Sequence, residues 1–430
     1  MDNMADKNNI HRLLSLAGTG ILMAAGTAAA GPQPQATGLT EAITQGSVYG
    51  QIRPRYEYVD EQSLSKNANA FTLRTRLGYR TANLNGFEGQ LEFEDVRSLG
   101  SEKFNSTTNG KARYPLVSDP ESTEVNQAIL AYTGIADTRL QLGRQYISLD
   151  NERWVGPVGW RQNSVTMDAF SLTNQSLTGL EVFYAYVDNV NRLFGEKHPT
   201  MDDWDMDSHI VHLAYSSLPY VKLVGYGYFL EFEDQASQAL STRTLGGRLS
   251  GGYPLNDDLK LLYAAEYAEQ DDYADGRTRD AEYYWLSAGV NFNGVTVKVS
   301  QEQLSGNGTY SLTTPLATVH AHNGWADQFL ASALSANGVP DGLIDTRVHI
   351  SGKLAGIKLV ARYHDYSSDN DDYDYGTEWN LLAVKPISKQ LKVVAKYADY
   401  SADDNATNSA RNPVQSTDTR KFMLMGDFMF

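Results

Sequence analysis

Arg53 and Arg55, then Arg74, Arg76 and Arg80, alternate with uncharged residues, and Glu88, Glu92 and Glu94 follow a few positions later. Guanidinium groups gathered this way can attract and orient an anion, or they can be neutralised by carboxylates beside them. Which outcome prevails depends on the faces they share. In "FTLRTRLGYR", residues 71–80, Phe71, Leu73, Leu77 and Tyr79 take one parity, while Thr72, Arg74, Arg76 and Arg80 take the other. Period two places alternate side chains on opposite faces of an extended chain and scatters them around a helix. The segment reads as a strand with one apolar and one cationic face. The pattern recurs: Ile357, Leu359, Ala361 and Tyr363 oppose Lys358, Arg362 and His364, and Leu391, Val393, Ala395 and Tyr397 oppose Lys392 and Lys396. Val295, Val297 and Val299 likewise oppose Thr296 and Lys298. Uncompensated burial of that many charges is prohibitively costly, so the polar faces are expected to border water.

Other chemistry is less well supplied. His349 and Ser351 share a polar parity, and His364 precedes Asp365. A nucleophile, a base and an orienting third group must lie within hydrogen-bond reach, and no nucleophile motif surrounds Ser351. The acidic stretches "MDDWDMD" (201–207) and "DNDDYDYG" (369–376) lack the glycine position and distal glutamate of an EF-hand loop and read as solvated loops. No enzymatic activity, cofactor or metal is expected.

The elements that must position these charges follow from the whole chain. Its 430 residues include no cysteine, 26 Tyr against 14 Phe and 6 Trp, and a formal charge of −16. The acidity argues against a nucleic-acid partner, and the tyrosine surplus suits interfacial positions, where a ring lies in apolar surroundings and its hydroxyl reaches water. Lys7, His11 and Arg12 precede the apolar run "LLSLAGTGILMAAGT", and "AAAG" at 28–31 offers a small-x-small cleavage site. Residues 1–30 are therefore expected to be an export signal, 31–46 a periplasmic lead-in, and 47–430 a transmembrane antiparallel up-and-down β-barrel.

About eighteen strands, each roughly 9 to 14 residues long, can be placed between 47–59 and 418–430, the length of tilted membrane strands. Connections after even-numbered strands are short: "ANLNG" at 82–86, "GIAD" at 134–137, "SLP" at 217–219, "FNG" at 292–294, "GKLAG" at 352–356 and "PISK" at 386–389. Those after odd-numbered strands are often long and polar, as expected of an outer-membrane barrel with tight periplasmic turns and longer external loops. The final "KFMLMGDFMF" sets Phe422, Leu424, Phe428 and Phe430 on one parity. A terminal strand ending on an aromatic residue resembles the insertion signal of bacterial outer-membrane barrels, so the insertion machinery is an expected partner through Phe430.

At 143–170, "GRQYISLDNERWVGPVGWRQNSVTMDAF", the runs Gly143-Arg144-Gln145, Asp150-Asn151, Arg153, Trp160-Arg161-Gln162-Asn163 and Asp168 resemble the signature of the alginate export family of Gram-negative outer-membrane proteins. The resemblance implies a monomeric eighteen-stranded barrel whose arginine-rich lumen conducts a polyuronate, with Arg144, Arg161 and Asp168 in the pore lining. Physically, Arg144 falls on the apolar parity of Leu140 and Leu142. Either a bulge shifts the register near Gly143 or the strand has already left the bilayer. The segment after it could fold against the lumen or cap the barrel. The longest loop, about 305–344, places Trp325, Phe329, Leu330 and Leu334 at helical spacing, and a helix there could enter the lumen or pack over its mouth.

The expected function is an outer-membrane channel for anionic or carbohydrate solutes, uronates among them. Its lumen would be lined by Arg53, Arg55, Arg74, Arg76, Arg80, Glu88, Glu92, Arg144, Arg161, Asp168, Arg362, Lys392 and Lys396. Lipid and lipopolysaccharide would surround it. A general small-solute porin, or a surface receptor or adhesin working through its loops, remains as an alternative.

Overall fold

The computed structural model describes residues 33–403 and 414–430. The expected export signal lies outside the described residues. Of the 20 strands in one sheet, Gln35–Ala36 and Asn83–Leu84 are two-residue pieces paired in parallel, and the other eighteen form the barrel wall. In chain order they are β1 (Ser47–Glu61), β2 (Ala68–Arg80), β3 (Phe87–Ser98), β4 (Ser122–Tyr132), β5 (Thr138–Gln145), β6 (Thr166–Asn174), β7 (Leu180–Asn191), β8 (Asp203–Tyr215) and β9 (Val221–Leu230). There follow β10 (Thr242–Pro254), β11 (Leu259–Asp272), β12 (Asp280–Phe292), β13 (Val295–Leu304), β14 (Leu343–Leu354), β15 (Ile357–Ser367), β16 (Asp374–Pro386), β17 (Leu391–Ala402) and β18 (Thr419–Met429).

Each strand pairs antiparallel with its sequence neighbours, and β18 pairs with β1, so the wall has no free edge. Closure satisfies every ladder without exposing a backbone edge to hydrocarbon. Phe430 completes the seam: its N–H donates to the Gly50 carbonyl at 3.1 Å, and its carbonyl accepts from the Gly50 N–H at 3.0 Å. At one end the strands join by tight turns. Asn293 (φ 48°) and Gly294 (φ 82°) adopt the paired positive φ values that match hairpin twist, and Asn and Gly tolerate them best. The other end carries the long loops.

The alternation read from the sequence becomes an inside and an outside. Phe71 and Leu77 on β2 are exposed outward while Thr72, Arg74 and Arg76 are buried inward; Leu286 and Val299 face outward in the same manner. This apolar outer band suits lipid, with polar residues on the lumen side. Part of the tyrosine surplus sits elsewhere than expected. Tyr226, Tyr228, Tyr283, Tyr366, Tyr375 and Tyr400 are buried inside the wall.

An eighteen-stranded barrel is too wide for its own side chains to fill. Two loops fill much of it: 146–165, called L3, and 305–342, called L7. Trp154, Val155 and Trp160 of L3 and Leu312, Leu316, Trp325 and Phe329 of L7 pack with the inward tyrosines in one apolar cluster. Two expectations change here, and the lead-in gains a structure. Strand six begins at Thr166 and not near 160, because 160–165 belongs to L3. The helical spacing at Trp325–Leu334 yields only a short helix, α2 (Ala331–Leu334), while Trp325 and Phe329 anchor irregular backbone. The lead-in folds as a helix, α1 (Leu39–Thr44), whose Ala42 carbonyl accepts from Ala82 N–H at 2.8 Å.

Candidate functional site

The arginines nearest the N-terminus bind a loop. Arg53 donates from Nη1 to the Gly159 carbonyl (2.9 Å), from Nε to Gln162 Oε1 (3.0 Å), and from Nη2 to the Arg161 carbonyl. Arg55 donates to the Trp160 carbonyl at 2.6 Å and pairs with Glu57 and with Asp119 at 3.1 Å. Arg74 donates to the Gln162 carbonyl at 3.1 Å and to Gln51 Oε1 at 2.6 Å. Arg76 pairs with Glu94, donates to Ser164 Oγ, and lies 3.9 Å from Glu92. Irregular backbone leaves its carbonyls without ladder partners, and a guanidinium supplies several donors in a fixed fork. Because Arg53, Arg55 and Arg74 are only 1% exposed, they sit behind L3 and not against a water column. Their expected lining role is corrected accordingly: the interior at this wall is packed, and loop carbonyls plus Glu57, Glu94 and Asp119 compensate the charge.

The opposite arrangement holds L7. Glu378 on β16 accepts from the backbone N–H groups of Trp325 (2.6 Å) and Ala326 (2.8 Å), and Glu302 on β13 accepts from Asn323 Nδ2 at 2.6 Å. Wall cations hold L3 through its carbonyls, and wall carboxylates add a hold on L7 through its amides.

L3 and L7 then meet. Gly156 N–H donates to the Leu316 carbonyl (2.8 Å) and Thr318 N–H to the Glu152 carbonyl (3.0 Å). Asp327 of L7 is the focus of charge, 3.2 Å from Arg161 of L3, 2.7 Å from Lys421 of β18 and 2.6 Å from His320 Nδ1. Against the cost of burial, His320, Lys421 and Arg161 hold the Asp327 carboxyl well below the usual carboxylate range. Lys396 of β17 lies 4.0 Å from the ring centres of both Trp160 and Trp325, and its Nζ is 2.6 Å from His320 Nε2.

On the far wall two arginines are less fully engaged. Lys298, His349, Arg362 and Asn380 stand directly opposite one another across β13 to β16, a row with no carboxylate. Arg362 donates from Nε to His349 Nδ1 (3.3 Å) and from Nη1 to the Ala321 carbonyl (3.2 Å). Arg347 donates from Nε to Ser300 Oγ and from Nη1 to the His322 carbonyl, both at 3.2 Å. Each leaves Nη2 without a protein partner among the described residues. Glu152 of L3 borders the same space as Arg362 and Lys396, and burial raises its pKa, which weakens it as a competing anion.

The remaining expected residues are dispersed. Arg80 donates to Gln90 Oε1 at 2.8 Å, Glu88 accepts from Asn83 at 3.0 Å, and Lys392 pairs with Asp427 at 3.0 Å, all near the short-turn end. Arg144 and Asp168 do not line the lumen. They form a two-pronged pair (2.9 and 3.0 Å) on the parity of Leu142 and Phe170, both exposed on the outer face. Strand pairing keeps its register through Gly143, so β5 has reached the long-loop end of the wall, the second of the two explanations open from sequence.

His349 Nε2 is 3.0 Å from Ser351 Oγ. The Arg362 donor on His349 Nδ1 fixes the tautomer with the proton on Nε2, so this imidazole donates to Ser351 and is not placed to take its proton. Asp365 is exposed on the other face. Among the described residues no group of three or more His, Cys, Asp or Glu side chains is arranged to hold a metal.

Sequence reasoning missed Arg347, His320, Asp327 and Lys421. Arg347 was within reach, since it shares the inward parity of His349 between outward Val348 and Ile350. Asp327 and His320 lie in a loop without periodicity, and no local signal marks them.

No known family's sequence pattern matches the chain, and no curated protein matches it. Solved structures do. OccAB2 of Acinetobacter baumannii is 14% identical with a TM-score of 0.71, over 91% of this chain and 99% of that one. OccD3 (OpdP) of Pseudomonas aeruginosa is 14% identical with a TM-score of 0.68, over 93% and 95%. OpdK of Pseudomonas aeruginosa, solved with vanillate, is 12% identical with a TM-score of 0.64, over 89% and 98%. The resemblance to the alginate export family finds no support, and two of its three carried-over residues lie on the outer face. At these identities the likeness is one of fold: a closed eighteen-stranded antiparallel barrel of the kind found in the Occ/Opd outer-membrane porins.

Proposed function

We propose that the protein is a passive channel of a Gram-negative outer membrane that passes small anionic solutes, carboxylates foremost, past a constriction made by L3 and L7. The long loops would face outward and the tight turns the periplasm. One observation carries the reading: Arg347 and Arg362 each keep a guanidinium nitrogen over, and Arg362 stands in a row of the lumen wall, Lys298–His349–Arg362–Asn380, that holds no carboxylate and borders the same space as Lys396. In a narrow lumen with low-dielectric walls, such nitrogens attract an anion and offer it the two-pronged geometry that a carboxylate fits. The vanillate in the OpdK structure, itself a carboxylate, is consistent with that chemistry for a protein of the same fold. A uronate monomer belongs to the same chemical class. A polyuronate strand does not suit the space, since L3 and L7 are bonded to the wall and to each other.

Reversal potentials of purified protein in planar bilayers under a potassium chloride gradient test the reading. Anion preference that falls when Arg347 and Arg362 are both changed to Ser supports it, and cation preference in the wild type contradicts it. Faster liposome swelling in a carboxylate salt than in a neutral sugar of similar size is also expected.

A further inference from the structure

Two chambers flank the L3–L7 junction. The outer one is bordered by Val158, Arg161, Arg192, Leu316 and Asp327, and the inner one by Glu152, Trp160, Trp325, Arg362 and Lys396. Water has about 90 Å³ of space in the outer chamber and about 30 Å³ in the inner. A cavity needs only about 10–15 Å³ measured this way to hold one water, so the inner chamber holds very few waters and no organic anion unless side chains move. His320 is the one described residue that borders both chambers.

Its imidazole is held on three sides. The ring stacks on Trp160 with centres 5.2 Å apart and planes at 7°. Nδ1 is 2.6 Å from Asp327 and Nε2 is 2.6 Å from Lys396 Nζ. A carboxylate can only accept and an ammonium can only donate, so the ring is the neutral tautomer that donates from Nδ1 and accepts at Nε2. Burial, reinforced by Lys396 and opposed by Asp327, pushes its pKa down to about 3, consistent with a neutral ring. The two latches differ in kind. Asp327 is fixed by Arg161 and Lys421 as well as by His320. Among the described residues Lys396 is fixed otherwise only by the faces of two tryptophans, and an anion is a far better acceptor for it than a neutral imidazole nitrogen.

We infer that His320 is the gate between the two chambers, and that an anionic group arriving at Lys396 opens it by taking the ammonium from the imidazole. Freed at Nε2, the ring turns about its bond to Asp327 and joins the chambers, so passage becomes conditional on the charge of the solute. This rests on the channel reading and names the side chain that regulates it.

Single-channel recording tests it on wild type, His320→Ala and Lys396→Met, each first shown to be folded by its heat-dependent electrophoretic mobility. Wild-type open fraction should rise with acetate concentration. H320A should be open without acetate, at higher unitary conductance and with anion preference kept. K396M should lose the acetate dependence while remaining a channel. H320A traces that match wild type, or a wild-type open fraction flat in acetate, overturn the gate and leave the channel standing. Folded wild type and H320A that both pass no current defeat the channel reading itself, and the gate with it.

Discussion

The two arginine-bearing walls of this barrel use the same side chain for opposite ends. On β1 and β2, Arg53 spends all three of its nitrogens on L3, and carboxylates stand beside its neighbours Arg55 and Arg76. On β14 and β15, Arg347 and Arg362 each donate to one L7 carbonyl and one neutral side chain, Arg362 also lies over the Trp325 ring at 5.3 Å, and each leaves a nitrogen over. The difference is one of supply. L3 lies flat on the first wall and presents a run of carbonyls, Gly159 to Gln162, to the arginines beneath it. L7 divides its bonds: the Trp325 and Ala326 N–H groups and the Asn323 side chain go to Glu378 and Glu302, while the Ala321 and His322 carbonyls take one donor each from Arg362 and Arg347, which leaves those guanidinium groups with donors over. Inward arginine alone therefore does not mark a solute site; the complement of acceptors around it does.

Breaking the first wall should have the largest effect. Hydrogen bonds to charged groups contribute about 1.5–3 kcal/mol each, and Arg53→Ala with Arg74→Ala removes several at once while leaving buried carbonyls unpaired. We expect a lower unfolding temperature, protease cleavage within 146–165 and raised conductance; an unchanged cleavage pattern would show that L3 is held by something else. Glu378→Ala should loosen L7 by the same logic, with a smaller loss because Glu302 still holds Asn323, and limited proteolysis within 305–342 reads it. On the far wall, Arg347→Ser with Arg362→Ser should destabilise less than the first pair, because each arginine holds a single L7 carbonyl, and should shift the reversal potential away from anion preference. The smallest effect belongs to the outer-face pair. Arg144→Gln with Asp168→Asn removes a partly exposed ion pair of about 1 kcal/mol or less and should leave selectivity unchanged.

The wall was legible in the sequence and the lumen was not, for a physical reason. Lipid on one side and polar surroundings on the other force a period of two on every strand, so β2, β15 and β17 declare their faces locally. Arg144 was ambiguous: its parity with Leu142 pointed outward, but a bulge at Gly143 would have turned it inward, and the expected lining role took the wrong side. L3 and L7 carry no such constraint. Their positions are set by pairs such as Arg53 with Gly159, 106 residues apart, and Lys396 with His320, 76 residues apart. The sequence therefore showed that arginines such as Arg53, Arg74 and Arg362 point inward but not which of them a loop would cover. The tyrosine surplus misled for a related reason: Tyr366 and Tyr400 serve a packed interior built by L7, which only the folded loop reveals.

The central claim is that one wall spends its arginines on a loop and the other keeps guanidinium nitrogens for the solute. Single-channel current–voltage curves in a salt gradient, recorded side by side for R53A/R74A and R347S/R362S, test it most directly. The account predicts that the first pair changes conductance and keeps the anion preference, while the second loses the preference and nearly keeps the conductance. The reverse assignment, with selectivity lost from β1 and β2 and retained after the β14 and β15 changes, would contradict it.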